Sequence, residues 1–397
     1  MEFLKKKYYN KIIKKKIIKG FLILLLLLLN NNEKNEKYNE INFFNKFIKI
    51  CKNLQKLSHQ NINLTKYPFL SICIPVYNMK KYIERAILSI LNQFFNDFEI
   101  IIINDYSNDL SEYIIKRMQL ENSQIKIINH KKNKGVYASR VDGILNAKGE
   151  YIMFLDPDDL FLNPYLFQKL FEYNLNYSLD IIEFTVFEEN EGKNNLYYPS
   201  FHRANHYHNF KKKIIFQPEL SNILFLDPEK NNYSEVICRP IWNKMIRKNI
   251  ILQSIKFIGK YYYNNVNFNF AEDTILNILN FQLGSNYSNI NLAGYMYNIR
   301  EKSLSHGDMG NIFKFSLSYN ILIYFQILYK YIKYFNKDRN YLFYDVKSFS
   351  NYLTFFLDLN ESHYINETKI FFKNILNDIH ISNDFKSFVF DFILKFK

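Results

Sequence analysis

The sequence predicts an α/β fold on a doubly wound, mostly parallel sheet. Three observations lead there. Residues 67–190 alternate short apolar runs with helix-periodic segments, in units of roughly 25 residues. The run from Phe98 to Ile103 is almost unbroken in apolar residues, as in a strand covered on both faces. Polar residues, mostly acidic, follow the ends of three of these runs, where sheets of this kind bind ligands.

The elements follow in order. Phe69 to Val76 makes a first strand that stops at Tyr77-Asn78. Tyr82, Ile83, Ala86, Ile87, Ile90 and Leu91 then recur at helical spacing. Phe98 to Ile103 makes the second strand, and Asp109 with Glu112 offers a capping box for a helix over 110–119. Ile125 to Ile128 makes the third strand. Gly135 opens a helix that ends near Lys148-Gly149, and Tyr151 to Leu155 makes the fourth strand. Asn163-Pro164 supplies an N-cap and a first-turn proline. Asp180 to Phe187 makes the fifth strand, and a later helix spans 273–283. Residues 311–397 carry aromatic-aliphatic stretches at helical spacing and read as a C-terminal helical region.

Composition narrows the function. The chain has 397 residues, 48% of them hydrophobic, with only 10 Gly and 8 Pro, which excludes collagen-like and disordered classes. Cys51, Cys73 and Cys238 are too scattered for a disulfide framework or a clustered zinc site. The net charge of +14 first suggests nucleic acid, yet residues 1–20 hold eight lysines and one acid, so 8 − 1 = +7 sits there. The other 377 residues carry only 14 − 7 = +7, and a nucleic-acid partner is not expected.

The basic tail, residues 1–20, precedes an apolar run over 21–29, a membrane-targeting pattern with the lysines kept in the cytosol. The run is shorter than the ~20 residues that cross a bilayer. It reads as a signal anchor of a single-pass, membrane-associated protein; a cleaved signal peptide or an interfacial helix is the alternative. Residues 30–66, rich in Asn, Lys and Glu, read as a polar stem.

The predicted rim has a chemistry. Tyr77 and Asn78 follow the first strand. Asn104, Asp105, Ser107 and Asp109 follow the second, and Asp156, Asp158 and Asp159 the fourth. No Gly-rich dinucleotide motif or P-loop is present. Carboxylates packed as in Asp156-Pro157-Asp158-Asp159 repel one another, and a hard divalent cation relieves that repulsion. Such an ion neutralises a diphosphate leaving group. The plain alternative is an N-cap with a solvated acidic turn; the position at a strand end favours the nucleotide and metal reading. Tyr77 is placed to stack on a base, with core packing as its alternative. His202, His206 and His208 read as a polar loop.

These blocks, in order, resemble family 2 glycosyltransferases of the GT-A fold, the nucleotide-diphospho-sugar transferase type. They run from Ser71-Ile72-Cys73-Ile74-Pro75-Val76-Tyr77-Asn78 through Ser89-Ile90-Leu91-Asn92-Gln93, Phe98 to Asp109, Asn133-Lys134-Gly135, Ala138-Ser139-Arg140 and Ala147 to Ile152, to Phe154-Leu155-Asp156-Pro157-Asp158-Asp159. The resemblance implies a nucleotide-sugar donor (a UDP-sugar foremost), Mn2+ or Mg2+, and inverting transfer to the hydroxyl of a carbohydrate-bearing acceptor. It implies that Pro75, Tyr77, Asn78, Asp105 and Arg140 border the donor. Asp156 would lie near the ribose, and Asp158, with Asp156, would hold the metal. Asp159 is a weaker candidate beside them.

Residues 67–190 would then be the nucleotide-sugar half and 191–310 the acceptor half. There Phe270-Ala271-Glu272-Asp273-Thr274 resembles the block carrying the general base, with Asp273 first and Glu272 second. A sugar hydroxyl needs a base because it is a poor nucleophile until its proton leaves. The alternative for these acids is a helix N-terminus favoured by its dipole. Ile241-Trp242-Asn243-Lys244-Met245 resembles an acceptor-side block, although core packing also accounts for Trp242. Arg300 and His306 are further candidates, for the diphosphate. Asn104 and Tyr106 depart from the family, standing where Asp and Gly are usual. The Gln-x-x-Arg-Trp block of processive synthases is missing, so chain polymerisation is not expected. A catalytically inactive relative that binds nucleotide-sugars or acts as a scaffold is the rival reading. A membrane-associated protein of this kind is expected in the Golgi or endoplasmic reticulum if the source is a eukaryote, or on the cytoplasmic face of the inner membrane if it is a bacterium.

Overall fold

The computed structural model describes residues 67–190, 196–197, 214–217, 240–259, 272–299, 321–330, 334–335, 362–378 and 383–394. The expectations for the tail, apolar run and stem over 1–66, for His202, His206 and His208, and for Arg300 and His306 lie outside the described residues. Among the described residues no helix is long and apolar enough to cross a membrane. The chain divides into two compact units, Met1–Lys66 with Phe171–Ser178, and Tyr67–Leu170 with Leu179–Lys397. Of the first, Phe171–Ser178 is described and is helical through Tyr177. The second holds the sheet and the site residues discussed below.

The elements are β1 (Leu70–Val76), α1 (Ile83–Leu91), β2 (Phe98–Asn104), α2 (Ser111–Glu121), β3 (Ile125–Asn129), α3 (Val136–Asn146), β4 (Tyr151–Phe154), β5 (Leu160–Phe161), α4 (Leu166–Tyr177), β6 (Ile181–Asn190), β7 (Leu196–Tyr197), β8 (Ile215–Phe216), β9 (Lys244–Arg247), α5 (Lys248–Ile258), α6 (Glu272–Leu283), β10 (Asn286–Ile299), α7 (Ser362–Leu376) and α8 (Asn383–Leu394). The strands form one mixed sheet in the order β3-β2-β1-β4-β9-β6-β10-β5, with β7 on β6 and β8 on β10. β3, β2, β1 and β4 are mutually parallel, as expected. β9 runs antiparallel to both β4 and β6, and β6 is parallel to β10. The fifth predicted strand is therefore not the neighbour of the fourth. A four-residue strand from the second half of the chain separates them, too short to announce itself by periodicity.

β1 and β2 are buried along their whole length. Each Ile of Ile100–Ile103 is fully enclosed; burying a side chain of that size contributes about 1.5–3 kcal/mol. α1 turns Ile83, Ala86, Ile87 and Ile90 inward. α3 lies close on β1 and β2: a Cβ on Gly143 would stand 2.9 Å from Ile103 Cδ1 and 3.0 Å from Cys73 Sγ. Burial raises the Cys73 thiol pKa far above its usual range, so this cysteine packs rather than reacts. The C-terminal stretches are helical at 321–330, α7 and α8, joined by aromatic contacts such as Phe325 with Phe371 and Phe372 with Phe392.

Two helix starts differ from expectation. Asp109 accepts from the backbone N–H groups of Ser111 and Lys80, but the N-cap of α2 is Leu110 and Glu112 pairs with Lys116 one turn on, so the expected capping box is not formed. The Asn163 side chain accepts from the Tyr165 N–H at 2.9 Å, and α4 begins two residues past Pro164.

Gly149 ties the first and fourth strands at their starts. Its N–H donates to Ser71 Oγ, and a Cβ there would meet Ser71 N at 2.6 Å and Leu70 C at 2.7 Å. Backbone cannot yield as a side chain can. Gly149→Ala is expected to destabilise the fold by about 1–3 kcal/mol. Urea unfolding should show a lower midpoint at unchanged slope; an unmoved midpoint refutes the close approach.

Candidate functional site

Because β1, β2, β3 and β4 are parallel, the turns that follow them meet on one edge. Tyr77, 45% exposed, is the first residue past β1. Asn78 adopts φ 54° and Tyr106 φ 65°, so both turns use the left-handed region. The turns are stitched together: Asn78 N–H donates to Ser107 Oγ, and Asn108 N–H donates to Asn78 Oδ1. The left-handed backbone at 106 gives a physical reason for a glycine there, and Tyr106, 58% exposed, occupies it. Asn104 turns inward, donating to Asn129 Oδ1 and accepting from the Ser107 N–H. Pro75 lies inside β1, opposite Ile103, below this edge.

Asp105 is 3% exposed. Its Oδ1 meets His130 Nδ1 at 2.6 Å and the Lys134 N–H at 2.8 Å, and its Oδ2 accepts the Gly135 N–H at 2.8 Å. Three of about four lone-pair sites are thus filled from within. The expected base ligand is first of all the anchor of the loop after β3. His130 Nε2 meets Asp142 Oδ2 at 2.8 Å, so both ring nitrogens face carboxylates. Burial alone would lower the His130 pKa, but the bonds to Asp105 and Asp142 outweigh it and raise the value. The sequence reading did not single out His130. Its signal was its place at the end of a third parallel strand, on the edge where the other polar residues were sought.

The acidic turn after β4 is held from β10. Tyr295 OH donates to Asp159 Oδ2 at 2.7 Å and accepts the Asp156 N–H at 3.2 Å, while the Asn298 N–H donates to Asp159 Oδ1. Burial lifts the Asp159 pKa well above the carboxylate range, and Asp158 and Asp156 push the same way. Trp242 stacks on Tyr295 with centroids 4.5 Å apart and on Tyr297 at 5.7 Å, so it is part of the floor beneath this turn. Arg85 donates to the Asp158 carbonyl from α1. Tyr295 was missed as well, because β10 mixes Asn and Tyr along its length and shows no clean alternation.

Arg140 on α3 is 4% exposed. One terminal nitrogen donates to Glu272 Oε1 in a short ion pair, and the other donates to Asp156 Oδ1 at 2.9 Å. Glu272 and Asp273 open α6, with the Thr274 N–H donating to Asp273 Oδ1. Burial drives the Glu272 pKa up to about 7, Arg140 opposing and Asp273 adding to the rise. The Asp273 pKa is raised by the same burial. Arg140, Asp156, Glu272 and Asp273 are therefore one constellation. The Lys244 charge acts on it too, opposing the rise at Asp273. Lys244 is fully buried, donates to the Pro240 carbonyl and Asn243 Oδ1, and sits 3.3 Å from Glu183. Its position is structural, within the sheet.

Among the described residues no cluster of three metal-ligating side chains is set to hold an ion alone. The oxygens at hand are the half-buried Asp158 carboxylate and Asp156, whose side chain is 24% exposed and whose Oδ1 faces Arg140. Asp159 is spent on Tyr295 and Asn298. One or two carboxylates suit an ion that also takes phosphate oxygens, so the donor set fits a cation shared with a diphosphate.

Residues 71–250 match the Glycosyl transferase family 2 profile, and the chain carries a domain of that family. The uncharacterized glycosyltransferase EpsJ of Bacillus subtilis (strain 168) is 27% identical over 238 residues, covering 60% of this chain and 63% of EpsJ. A GalNAc(5)-diNAcBac-PP-undecaprenol beta-1,3-glucosyltransferase of Campylobacter jejuni is 34% identical over 112 residues, 28% of this chain and 36% of that protein. The chain thus spans less than two thirds of either curated relative. The crystal structure of S. aureus TarS 1-349 in complex with UDP-GlcNAc superposes with a TM-score of 0.51 at 18% identity, covering 77% of this chain and 80% of TarS 1-349. That likeness shows a shared GT-A fold.

His130 yields a pH prediction. Because its pKa is raised in the folded state, the ionic stabilisation is complete below the unfolded value of about 6.5 and is lost as pH climbs through the folded one. Stability should decline with rising pH above about 6.5, and His130→Gln should flatten that decline. Denaturant midpoints across pH 5–9 check this; an equally steep decline in the variant refutes it.

Proposed function

We propose that this chain, through its family 2 glycosyltransferase domain, transfers a sugar from a nucleotide-diphosphate donor, a UDP-sugar foremost, to a hydroxyl of a carbohydrate-bearing acceptor. The observation that carries the reading is the meeting of the acidic turn after β4 with the Glu272-Asp273 end of α6 across Arg140. Donor-binding acids and a candidate base lie side by side although they are more than a hundred residues apart in sequence.

In this reading Tyr77 stacks on the base, and Asn78 with the remaining lone pair of Asp105 borders it. Asp156 sits near the ribose, and Asp158 with Asp156 holds a divalent cation. The cation supplies charge neutralisation at the diphosphate. Asp273 takes the proton of the acceptor hydroxyl as its oxygen bonds to the sugar C1. The C1–phosphate oxygen bond breaks with inversion, and the nucleoside diphosphate leaves. A raised carboxyl pKa serves a base at neutral pH, because basicity and availability are both useful near the working pH. The lysine-rich tail and apolar run support attachment to a membrane, on the cytoplasmic face if the source is bacterial, as the relatives above are.

A panel of UDP- and GDP-sugars with Mn2+ tests this by release of nucleotide. Asp158→Ala is expected to abolish cation-dependent turnover. Asp273→Asn should lower kcat by about 10²–10⁴-fold while donor binding survives. Donor binding without any turnover by the wild type would favour a binding protein instead.

A further inference from the structure

We infer that Arg140 is a positioning residue that latches the base-bearing end of α6 to the acidic turn after β4, and so fixes where Asp273 meets the acceptor hydroxyl. The inference rests on the transferase reading above and departs from the expectation that Arg140 contacts the donor.

The guanidinium is enclosed and already engaged by two carboxylates of the protein. It is 4% exposed, and its two terminal nitrogens are committed to Glu272 and Asp156. Its Nε is buried without a hydrogen-bond partner. Burial opposes the charge, but Asp156, Glu272 and Asp273 together raise its pKa further, so Arg140 stays a cation. A charge this enclosed is held in one place by its partners.

The path of support is continuous. The close approach at Gly143 seats α3 on β1 and β2. α3 carries Arg140, Arg140 holds Glu272, and Asp273 is the next residue. Further along α6, Ser254 Oγ of α5 donates to Asn280 Oδ1, fixing the other end of the helix. Position matters here because misplacing a catalytic group by about 1 Å can cost 10²-fold in rate. The tie also calls for arginine. A planar fork reaches two carboxylates from sequence-distant elements at fixed angles, which a lysine ammonium does not reproduce.

The test uses the full chain. Arg140→Lys is assayed where its circular dichroism matches the wild type. It should lose about 10²-fold in kcat and change the donor KM by no more than about threefold. A donor KM that rises tenfold with kcat unmoved assigns Arg140 to the donor and overturns the inference. Glu272→Gln should cost far less than Asp273→Asn, because the amide oxygen still accepts from Arg140; equal losses make Glu272 the base and overturn it. The double variant Arg140→Lys/Glu272→Gln should lose little more than Arg140→Lys alone; additive losses overturn it. A readout without turnover is the carboxyl 13C titration of Glu272, which should move above about 7 in Arg140→Gln because the cation that opposes the rise is gone. An unmoved midpoint overturns the latch. A shifted midpoint in a protein whose wild type turns over no donor sinks the transferase reading and supports the tie.

Discussion

Three carboxylates within four residues, Asp156, Asp158 and Asp159, stand at the edge of a buried sheet, and the surrounding structure is arranged around that charge. Removing one partner from a buried ion pair costs about 3–5 kcal/mol, because the other charge is left uncompensated. The chain meets this constraint with donors from every direction. Arg140 reaches Asp156 from α3, and Tyr295 and the Asn298 N–H reach Asp159 from β10. Tyr295 links two of the acids, giving its proton to Asp159 and taking the Asp156 N–H. Stacking by Trp242 fixes the ring that does so.

The same logic divides the acids into two groups. Asp105, Asp159 and Glu183 are enclosed, and each is matched by donors from a different element. They set the shape of the edge. Asp158 and Asp273 are only partly enclosed. A carboxylate can do chemistry only if a ligand reaches it, so exposure sorts the acids better than their place in a motif. Asp105 illustrates the point: its three internal donors make it the peg for the loop from His130 to Gly135 and leave about one lone-pair site for a ligand.

Much of this was legible in the sequence, and the part that was not has a consistent cause. The strands β1, β2, β3 and β4 came from local runs of buried residues, and parallel pairing put their following turns on one edge. Glu272-Asp273 came from the resemblance of residues 270–274 to a family block, with the acidic first turn of a helix as its alternative. β9 was missed because Lys244–Arg247 is four residues of mixed polarity whose burial depends on β4 and β6. β10 was missed because its pairing with β6 slips between Ile290, Ala293 and Tyr295, so no single alternation runs through it. Tyr295 and His130 act through partners at least twelve residues away, and no local pattern carries such a partnership.

One departure shows how local strain and chemistry interact. The turn after β2 needs a left-handed backbone at residue 106, which costs a side chain roughly 1–2 kcal/mol and a glycine nothing. This chain accepts that cost and places an exposed aromatic ring there, one residue past the Asp105 peg. The peg allows it: with Asp105 bound to both ends of the 130–135 loop, and Asn78 bound to the neighbouring turn, the backbone at 106 has little freedom to relax. The strain is therefore sustained by the same buried hydrogen bonds that withdraw Asp105 from the surface. Anchoring the edge and presenting an unusual side chain on it are two results of one network.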